Sequence, residues 1–190
     1  MKTQEIHNLV GEIWKDIAGY EKYYKISNFG RIKTLSKIIP YGSNLSLLIP
    51  EKILKSDLNI DGYQIVRLSK NGQQKNYRVH ILLYKTFIKD YDTKEYDIDH
   101  INGIRSDNSL SNLRLATRQQ NSFNKGKHKK ATSKYKGVYW NKQMKKWKVQ
   151  IGYNGKRFFL GYYKDEKKAA KIYNKKATEL FGEFARLNII

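Results

Sequence analysis

Turn-forming residues divide this chain into three short segments, and this division constrains the fold more than any other feature. The first segment centres on the Ser-Asn-Phe-Gly turn at 27–30, the second on Asn71-Gly72 and the third on Asn154-Gly155. An Asn-Gly pair between alternating apolar residues is a strong local signal of a β-hairpin. The chain is therefore predicted to be an α+β protein built from small modules.

The pattern around these turns sets the predicted elements. Segments 24–26 and 31–35 read as paired strands, segment 40–50 as a loop, and segments 62–68 and 74–79 as a hairpin. Segment 79–88 reads as a short buried helix, and Thr117 with Gln120 is a capping-box signal for a helix that begins at Arg118. Three strands and one helix are predicted after residue 135.

Four regions follow from this reading. They are an N-terminal β-rich motif at 6–50, a central domain of strands and helices at 52–124, a basic linker at 125–134, and a three-stranded antiparallel sheet packed on one helix at 135–190. The linker has a second reading, in which it also contacts phosphates.

Charge is distributed unevenly along the chain. The chain has 38 Lys and Arg and 17 Asp and Glu, which gives a formal net charge of +21. Segment 127–190 alone contains 18 of the basic residues but only 4 acidic ones. An AT-rich genome explains the preference for Lys over Arg, but neither the shortage of acids nor the place of the charge. The asymmetry predicts a nucleic-acid-binding module at the C-terminus.

Composition excludes several other classes. No apolar stretch of about 18 residues is present to span a membrane, and the N-terminus lacks the layout of a secretion signal. With no cysteine there is neither a disulfide framework nor a thiolate zinc site, so any metal must bind oxygen or imidazole. The expectation is a folded protein of the cytoplasm, or of the host cell cytoplasm if a phage encodes it.

The residues that carry chemistry are Asp99, His100, Asn112 and Asn121. Strand alternation sends the side chains of Asp99 and His100 to opposite faces, and a kink at 101–103 could bring both toward one site. A carboxylate and an amide oxygen suit a hard divalent cation such as Mg²⁺, with Mn²⁺ as the second candidate, while imidazole suits a general base. The competing interpretation is a surface Asp-His pair beside ordinary turn asparagines.

The string IDHINGIRSDNSLSNLRLATRQQNSFN resembles the HNH nuclease motif in the form found in phage and intron homing endonucleases. The resemblance covers about residues 79–124 and implies a strand–strand–helix finger around one metal ion. It implies that Asp99 and Asn121 bind the metal, that His100 activates water, and that Asn112 braces the loop holding His100. His80 in the lead-in is either structural or in contact with phosphate.

The flanking modules resemble known DNA-binding units. Residues 12–32 resemble a small motif that accompanies these nucleases, whose apolar residues are expected in its core and whose Arg31 and Lys33 are candidate phosphate contacts. The strings SKYKGVYW, KKWKVQI and NGKRFFLGYY resemble the Apetala-type (ethylene-response-factor) domain, in which a sheet enters the major groove. The expected DNA-binding residues, including two near the nuclease motif, are Arg31, Lys33, Arg114, Arg118, Lys136, Tyr139, Lys148, Gln150, Arg157, Phe159, Tyr162 and Tyr173.

The leading hypothesis is a metal-dependent DNA endonuclease of the homing type that acts on double-stranded DNA. One finger with one metal site predicts a nick in one strand by a monomer. The alternative is a non-catalytic DNA-binding regulator built on the same modules. A third, weaker reading is a basic RNA-binding protein, but no RNA-stacking motif is evident.

Overall fold

The computed structural model describes residues 6–41, 45–127 and 131–190, and it shows a mixed α/β protein made mostly of strands with few helices. The chain divides into two compact units, and the boundary lies between Leu115 and Ala116. Parts of the predicted loop 40–50 and linker 125–134, residues 42–44 and 128–130, lie outside the described residues. The four predicted region boundaries remain predictions.

The first unit contains most of the strands. These are β1 (Trp14–Asp16), β2 (Tyr24–Ser27), β3 (Ile32–Thr34), β4 (Lys37–Tyr41), β5 (Leu45–Ile49), β6 (Lys52–Ile53), β7 (Asp57–Leu58), β8 (Gln64–Lys70), β9 (Gln73–Arg78) and β10 (Tyr96–His100). Helix α1 (Val79–Phe87) follows β9 directly, and strand β11 (Leu113–Thr117) crosses into the second unit.

Three small sheets and one ribbon organise the strands up to β11. One sheet has the order β1-β2-β3-β6 and another the order β7-β8-β9, while β4 pairs with β5 and β10 with β11. The expected pairing of the strands around turn 27–30 is confirmed by β2 and β3, and the expected Asn71-Gly72 hairpin by β8 and β9.

Helix α1 supplies the core that joins these sheets. Val79 and Leu83 on the helix are fully buried together with Ile26 of β2 and Leu68 of β8. Burying a side chain of this size contributes about 1.5–3 kcal/mol relative to exposure. The Tyr24 hydroxyl also accepts a hydrogen bond from the Ser69 amide at 3.0 Å, which links the two sheets. The buried helix predicted at 79–88 is confirmed, and it positions the residues that follow it.

The prediction of a loop at 40–50 is wrong for its described residues. Pro40 lies in β4 and pairs in register with Ser46 of β5, so this segment is a two-stranded ribbon. The ribbon is mostly exposed, and Ile38 and Leu48 are 71% and 61% accessible. No buried face imposed the alternation that identifies a strand in a sequence, and proline is tolerated where a strand has a free edge.

The second unit begins with helix α2 (Arg118–Phe123) and then forms a sheet and a long helix. Strands β12 (Val138–Asn141), β13 (Lys146–Tyr153) and β14 (Lys156–Tyr163) are antiparallel in that order, and helix α3 spans Glu166–Phe181. The three strands and the helix predicted after residue 135 are confirmed. Short 3₁₀ turns lie at Leu110–Asn112 in the first unit and Gly182–Phe184 in the second.

Small residues line the contact between the sheet β12-β13-β14 and helix α3. Ala169, Ala170 and Ala177 are completely buried on the face of α3 that meets the strands. Gly137 has φ +76°, and a Cβ there would lie 2.0 Å from Cδ2 of Tyr173. Glycine at 137 therefore permits both the backbone turn and the close approach of the tyrosine ring.

No helix within the described residues is long and apolar enough to cross a membrane.

Candidate active site

The Asp99-His100 pair ends strand β10, and both side chains are buried, with 5% and 4% exposure. The chain turns immediately afterwards, since the Gly103 amide donates to the His100 carbonyl at 2.8 Å and Gly103 has φ +71°. A glycine accepts this left-handed conformation without steric cost. The kink expected at 101–103 is therefore present.

His100 is held by an amide side chain. Its Nε2 lies 3.1 Å from Oδ1 of Asn108, whose Nδ2 donates to Oε1 of Gln64 at 2.9 Å. Because Nδ2 of Asn108 donates to Gln64, its Oδ1 faces the His100 ring, and this contact orients the ring. Asn108 is buried, although it lies in the asparagine-rich loop whose residues could equally be ordinary turn asparagines. The sequence shows only that asparagine recurs in this loop. That pattern does not distinguish an asparagine that forms a turn from one that binds a histidine.

Asp99 forms an ion pair with Arg114 of β11. Nε and Nη2 of Arg114 donate to Oδ2 of Asp99 at 3.0 and 2.8 Å, and the two side chains are 12% and 5% exposed. The carboxylate is thereby oriented and its charge is balanced. Arg114 was expected to contact DNA, and that role remains a prediction.

Asn112 braces the loop between β10 and β11. Its Oδ1 accepts from the Asn102 amide at 2.9 Å, and its Nδ2 donates to the Asp107 carbonyl at 2.8 Å and to Oδ1 of Asn102 at 3.1 Å. The Ile101 amide also donates to the Asn112 carbonyl at 2.9 Å. These bonds hold the turn that follows His100.

His80 and Tyr63 complete the surroundings of His100. The His80 ring lies 4.8 Å from the His100 ring and 5.0 Å from the Tyr63 ring, centroid to centroid. His80 is 2% exposed, and its Nδ1 has no hydrogen-bond partner among the described residues. Burial, aided by the nearby His100 and Arg78, lowers the pKa of His80 to about 3. This imidazole is therefore uncharged at neutral pH.

Asn121 lies on α2, in the second unit, and is half-buried. The predicted capping box is confirmed, because the Gln120 amide donates to Oγ1 of Thr117 at 3.2 Å and the Thr117 amide donates to Oε1 of Gln120 at 2.8 Å. Arg118 is exposed in the first turn of this helix. The metal-binding role of Asn121 and the DNA contact of Arg118 remain predictions.

The donor chemistry of the site suits a hydrated hard cation. Within the described ranges no cluster of three or more His, Cys, Asp or Glu side chains could hold a metal. A buried carboxylate held in one orientation is the type of ligand that suits an ion such as Mg²⁺, which retains several waters. Asp99 thus fits a metal with few protein ligands.

Candidate phosphate contacts of the first unit are engaged with carboxylates. Nη1 of Arg31 lies 2.8 Å from Oε2 of Glu12, and Nζ of Lys33 lies 3.0 Å from Oε2 of Glu51. Both cations also lie over the Trp14 ring, at 5.7 and 4.9 Å from its centroid. Their DNA-binding roles remain predictions.

The sheet of the second unit gathers six of the expected DNA-binding residues on its outer face. Val149 and Ile151 of β13 are buried toward α3, so alternation places Lys148 and Gln150 on the opposite face. Strand register extends this outer face. Its members are Tyr139 and Tyr162 paired with Lys148, Phe159 paired with Gln150, and Arg157 paired with Gly152.

Lys136 and Tyr173 lie differently from those six. Nζ of Lys136 donates to the Phe123 carbonyl, and burial, with Arg186 nearby, lowers the pKa of this lysine to about 8. Tyr173 is 2% exposed in the core beneath Gly137, and burial raises its pKa. These contacts serve the packing of the second unit, and phosphate contacts of the two residues remain predictions.

The region that contains the paired strands β10 and β11, the buried Asp-His pair and the braced loop is also the region that a family model matches. The HNH endonuclease family matches residues 77–123, and the NUMOD4 motif matches residues 12–69. The chain belongs to the HNH endonuclease family, a family of DNA-cleaving enzymes, and carries a NUMOD4 motif. HNH nucleases generally use divalent metal ions.

Three relatives show the extent of the similarity. An uncharacterized HNH endonuclease of Acanthamoeba polyphaga mimivirus is 38% identical over 65% of this chain and 66% of its own length. The DNA endonuclease I-HmuI of Bacillus phage SP01 is 32% identical over 57% of this chain and 54% of its own length. Protein 3.8 of Escherichia phage T7 is 38% identical over 49% of this chain and 76% of its own length.

I-HmuI is also represented by a solved structure of DNA binding and cleavage by this homing endonuclease. That match has 33% identity and a TM-score of 0.47, and it covers 58% of this chain and 55% of the other. The chain spans just under two thirds of the mimivirus relative and about half of I-HmuI. Neither family match extends beyond residue 123. The Apetala-type resemblance of the C-terminal region therefore remains a prediction.

Proposed function

We propose that this protein is a metal-dependent homing-type DNA endonuclease that, as a monomer, nicks one strand of a DNA duplex. The observation that carries the proposal is the buried Asp99-His100 pair at the end of β10, with His100 oriented by Asn108, inside the region that matches the HNH family. An imidazole side chain held in one orientation is suited to accept a proton from water.

The proposed reaction is hydrolysis of a backbone phosphodiester. His100 takes one proton from a water molecule through a ring nitrogen while the water oxygen bonds to phosphorus. The bond between phosphorus and one sugar oxygen breaks, and that oxygen takes a proton from solvent, which leaves one hydroxyl end and one phosphate end. Asp99 and Asn121 would hold a divalent ion, Mg²⁺ or Mn²⁺, which when bound supplies positive charge for the phosphate oxygens.

The second unit is proposed to hold the DNA. Lys148 and Arg157 share a sheet face with Tyr139, Phe159 and Tyr162, and neither cation is in salt-bridge contact with a carboxylate of the described residues. This face supports the Apetala-type interpretation. Lysine, glutamine and aromatic residues there favour affinity and orientation over stringent reading of guanine.

Cleavage of supercoiled plasmid with Mg²⁺, Mn²⁺ or EDTA tests the proposal. The full chain should produce open circles before linear DNA with a metal ion and neither product with EDTA. His100→Ala should lower the rate about 10²–10⁴-fold, the contribution expected of a general base. His7→Ala is the matched control, since His7 is exposed and lies outside the site. Mobility-shift affinity should be unchanged in both variants, and full cleavage by His100→Ala would refute the base assignment.

One observation favours the alternative of a DNA-binding regulator. Arg114 binds Oδ2 of Asp99 through two nitrogens, which is an arrangement that competes with a metal for the carboxylate. A regulator would shift the duplex in the mobility assay and leave plasmid intact with every metal ion. Nicking that EDTA abolishes would exclude it.

A further inference from the structure

Two arginines without carboxylate partners meet at one tyrosine ring beside His100. Cζ of Arg78 lies 4.8 Å and Cζ of Arg105 lies 4.9 Å from the centroid of Tyr63. The same ring lies 5.9 Å from the His100 ring. The tyrosine that contacts the candidate base therefore also carries two arginines, which no motif in the sequence indicated.

Neither charge is neutralised within the first unit. Arg78 and Arg105 are exposed, and neither forms a salt bridge in the part of the chain that the structure describes, whereas Arg31 and Arg114 each bind a carboxylate at 2.8 Å. Two guanidinium groups gathered on one ring repel each other, so the pair raises the local affinity for an anion.

The backbone reinforces this positive charge. Arg105 is anchored by its Nη1, which donates to the Asp61 carbonyl at 2.7 Å. Arg78 is the N-cap residue of α1, makes no side-chain cap, and precedes a first turn that is wholly described and holds no acidic residue. The positive end of the helix dipole therefore lies at Arg78, and no acidic side chain of the first turn offsets it.

The neighbouring histidine does not supply the charge. His80, in the first turn of α1, is buried and neutral, and its ring contacts both His100 and Tyr63. The three rings contact one another, so His80 packs beside both the candidate base and the ring that carries the arginines. The cations available to an anion at this place are therefore Arg78 and Arg105.

We propose that Arg78 and Arg105, stacked on Tyr63, bind the DNA backbone phosphate that His100-activated water attacks. This inference rests on the proposed endonuclease function. Guanidinium presents several N–H donors in a planar fork that matches phosphate oxygens. Negative charge grows on those oxygens as water adds to phosphorus, so donors already in place stabilise the transition state more than the bound substrate.

The binding arm of the test does not require catalysis. Fluorescence anisotropy with a labelled duplex in EDTA should show a slope of log affinity against log salt that falls by about 0.9 for each phosphate contact removed. The double variant Arg78→Gln with Arg105→Gln should therefore lower the slope by about 2. Arg67→Gln is the matched control, because Arg67 is exposed on β8 and bonds only Asn76 among the described residues.

The cleavage arm separates phosphate binding from general affinity. Under saturating DNA, each single Gln variant should lower the single-turnover rate about 10–10³-fold, and Arg→Lys should recover part of the loss. Arg67→Gln should cleave as the unaltered protein does. If a Gln variant does not fold by circular dichroism, the Lys variant replaces it, with a reduced rate and an unchanged salt slope as the expected result.

The outcomes distinguish the two proposals. An unaltered protein that never cleaves would refute the endonuclease function, while the salt slope still tests the phosphate contact. Cleavage that is intact in the double variant, or a salt slope equal to that of Arg67→Gln, would overturn the assignment of Arg78 and Arg105.

Discussion

Arg31 and Arg157 were both expected to contact DNA, yet the two units place them in opposite surroundings. Arg31 of the first unit bonds Glu12, a side chain with 0% exposure, and lies over Trp14. Arg157 of the second unit is exposed on β14 and has no salt bridge in the described ranges. The number of basic residues in a sequence therefore overstates the positive charge available to bind a polyanion, because buried carboxylates neutralise part of that charge.

A basic residue can therefore contribute either to the stability of the fold or to the binding of an anion. In the first unit, removal of a paired arginine leaves a buried acid without compensation, so the effect should be on stability. In the second unit, removal of an exposed basic residue should leave stability unchanged and weaken binding. The predictions below test this difference, beginning with the largest expected effect.

Arg31→Met should lower the free energy of unfolding by about 3–5 kcal/mol, because it leaves the Glu12 carboxylate buried and unpaired. Oε1 of Glu12 has no partner among the described residues, and Oε2 would keep the Leu9 amide, which donates to it at 3.0 Å but carries no full charge. Urea denaturation followed by circular dichroism measures the change. Glu12→Gln with Arg31→Met should recover most of the loss. A change below about 1 kcal/mol would show that the pair behaves as a surface salt bridge.

His80→Phe should remove a pH dependence of stability. The pKa of His80 falls from 6.5 in the unfolded chain to about 3 in the fold. The unfolded state therefore binds the proton first, and stability declines as pH drops below about 6.5, by up to about 1.4 kcal/mol per unit. The difference in the free energy of unfolding between the unaltered protein and His80→Phe should change by about 2 kcal/mol from pH 7 to pH 5. His7→Phe, an exposed change, should leave the profile as it was.

Lys148→Gln with Arg157→Gln should weaken duplex binding about tenfold near physiological salt and lower the salt slope by about 2. The unfolding free energy should change by less than about 0.5 kcal/mol, as expected for surface substitutions. Anisotropy and urea denaturation on the same samples give both values. Loss of stability without loss of affinity would reverse the proposed contrast between the units.

Thr117→Ala should cost about 1 kcal/mol, the usual contribution of a helix N-cap. It removes the acceptor for the Gln120 amide, so α2 loses its capping box but no buried contact. Thr117→Ser keeps the hydroxyl and is the control. Amide exchange of residues in α2 should rise in the alanine variant alone, and equal protection in both would show that packing, not the cap, holds this helix.

Local patterns predicted most of the second unit. The Asn154-Gly155 turn, the apolar alternation of β13 and the alanine stripe of α3 are short-range signals that packing strengthens. The same reasoning located the Asp99-His100 pair and the capping box at Thr117. It failed at 40–50, where an exposed ribbon has no buried face to produce alternation.

Several neighbours in the site were beyond sequence reasoning. Asn108 and Gln64 are separated by 44 residues, and Tyr63 meets Arg105 only through the fold. An Arg-Val-His string at the start of a predicted helix was visible, but nothing in it indicated that the arginine and the histidine reach the same tyrosine.

The sequence by itself determined which residues carry charge, which turns reverse the chain and where the acid-imidazole pair lies, because hydrophobic periodicity and turn chemistry act over a few residues. Tertiary structure alone decided which arginines are neutralised and which remain available to an anion. Pairing energy depends on distance and burial, and those are properties of side chains brought together from distant parts of the chain.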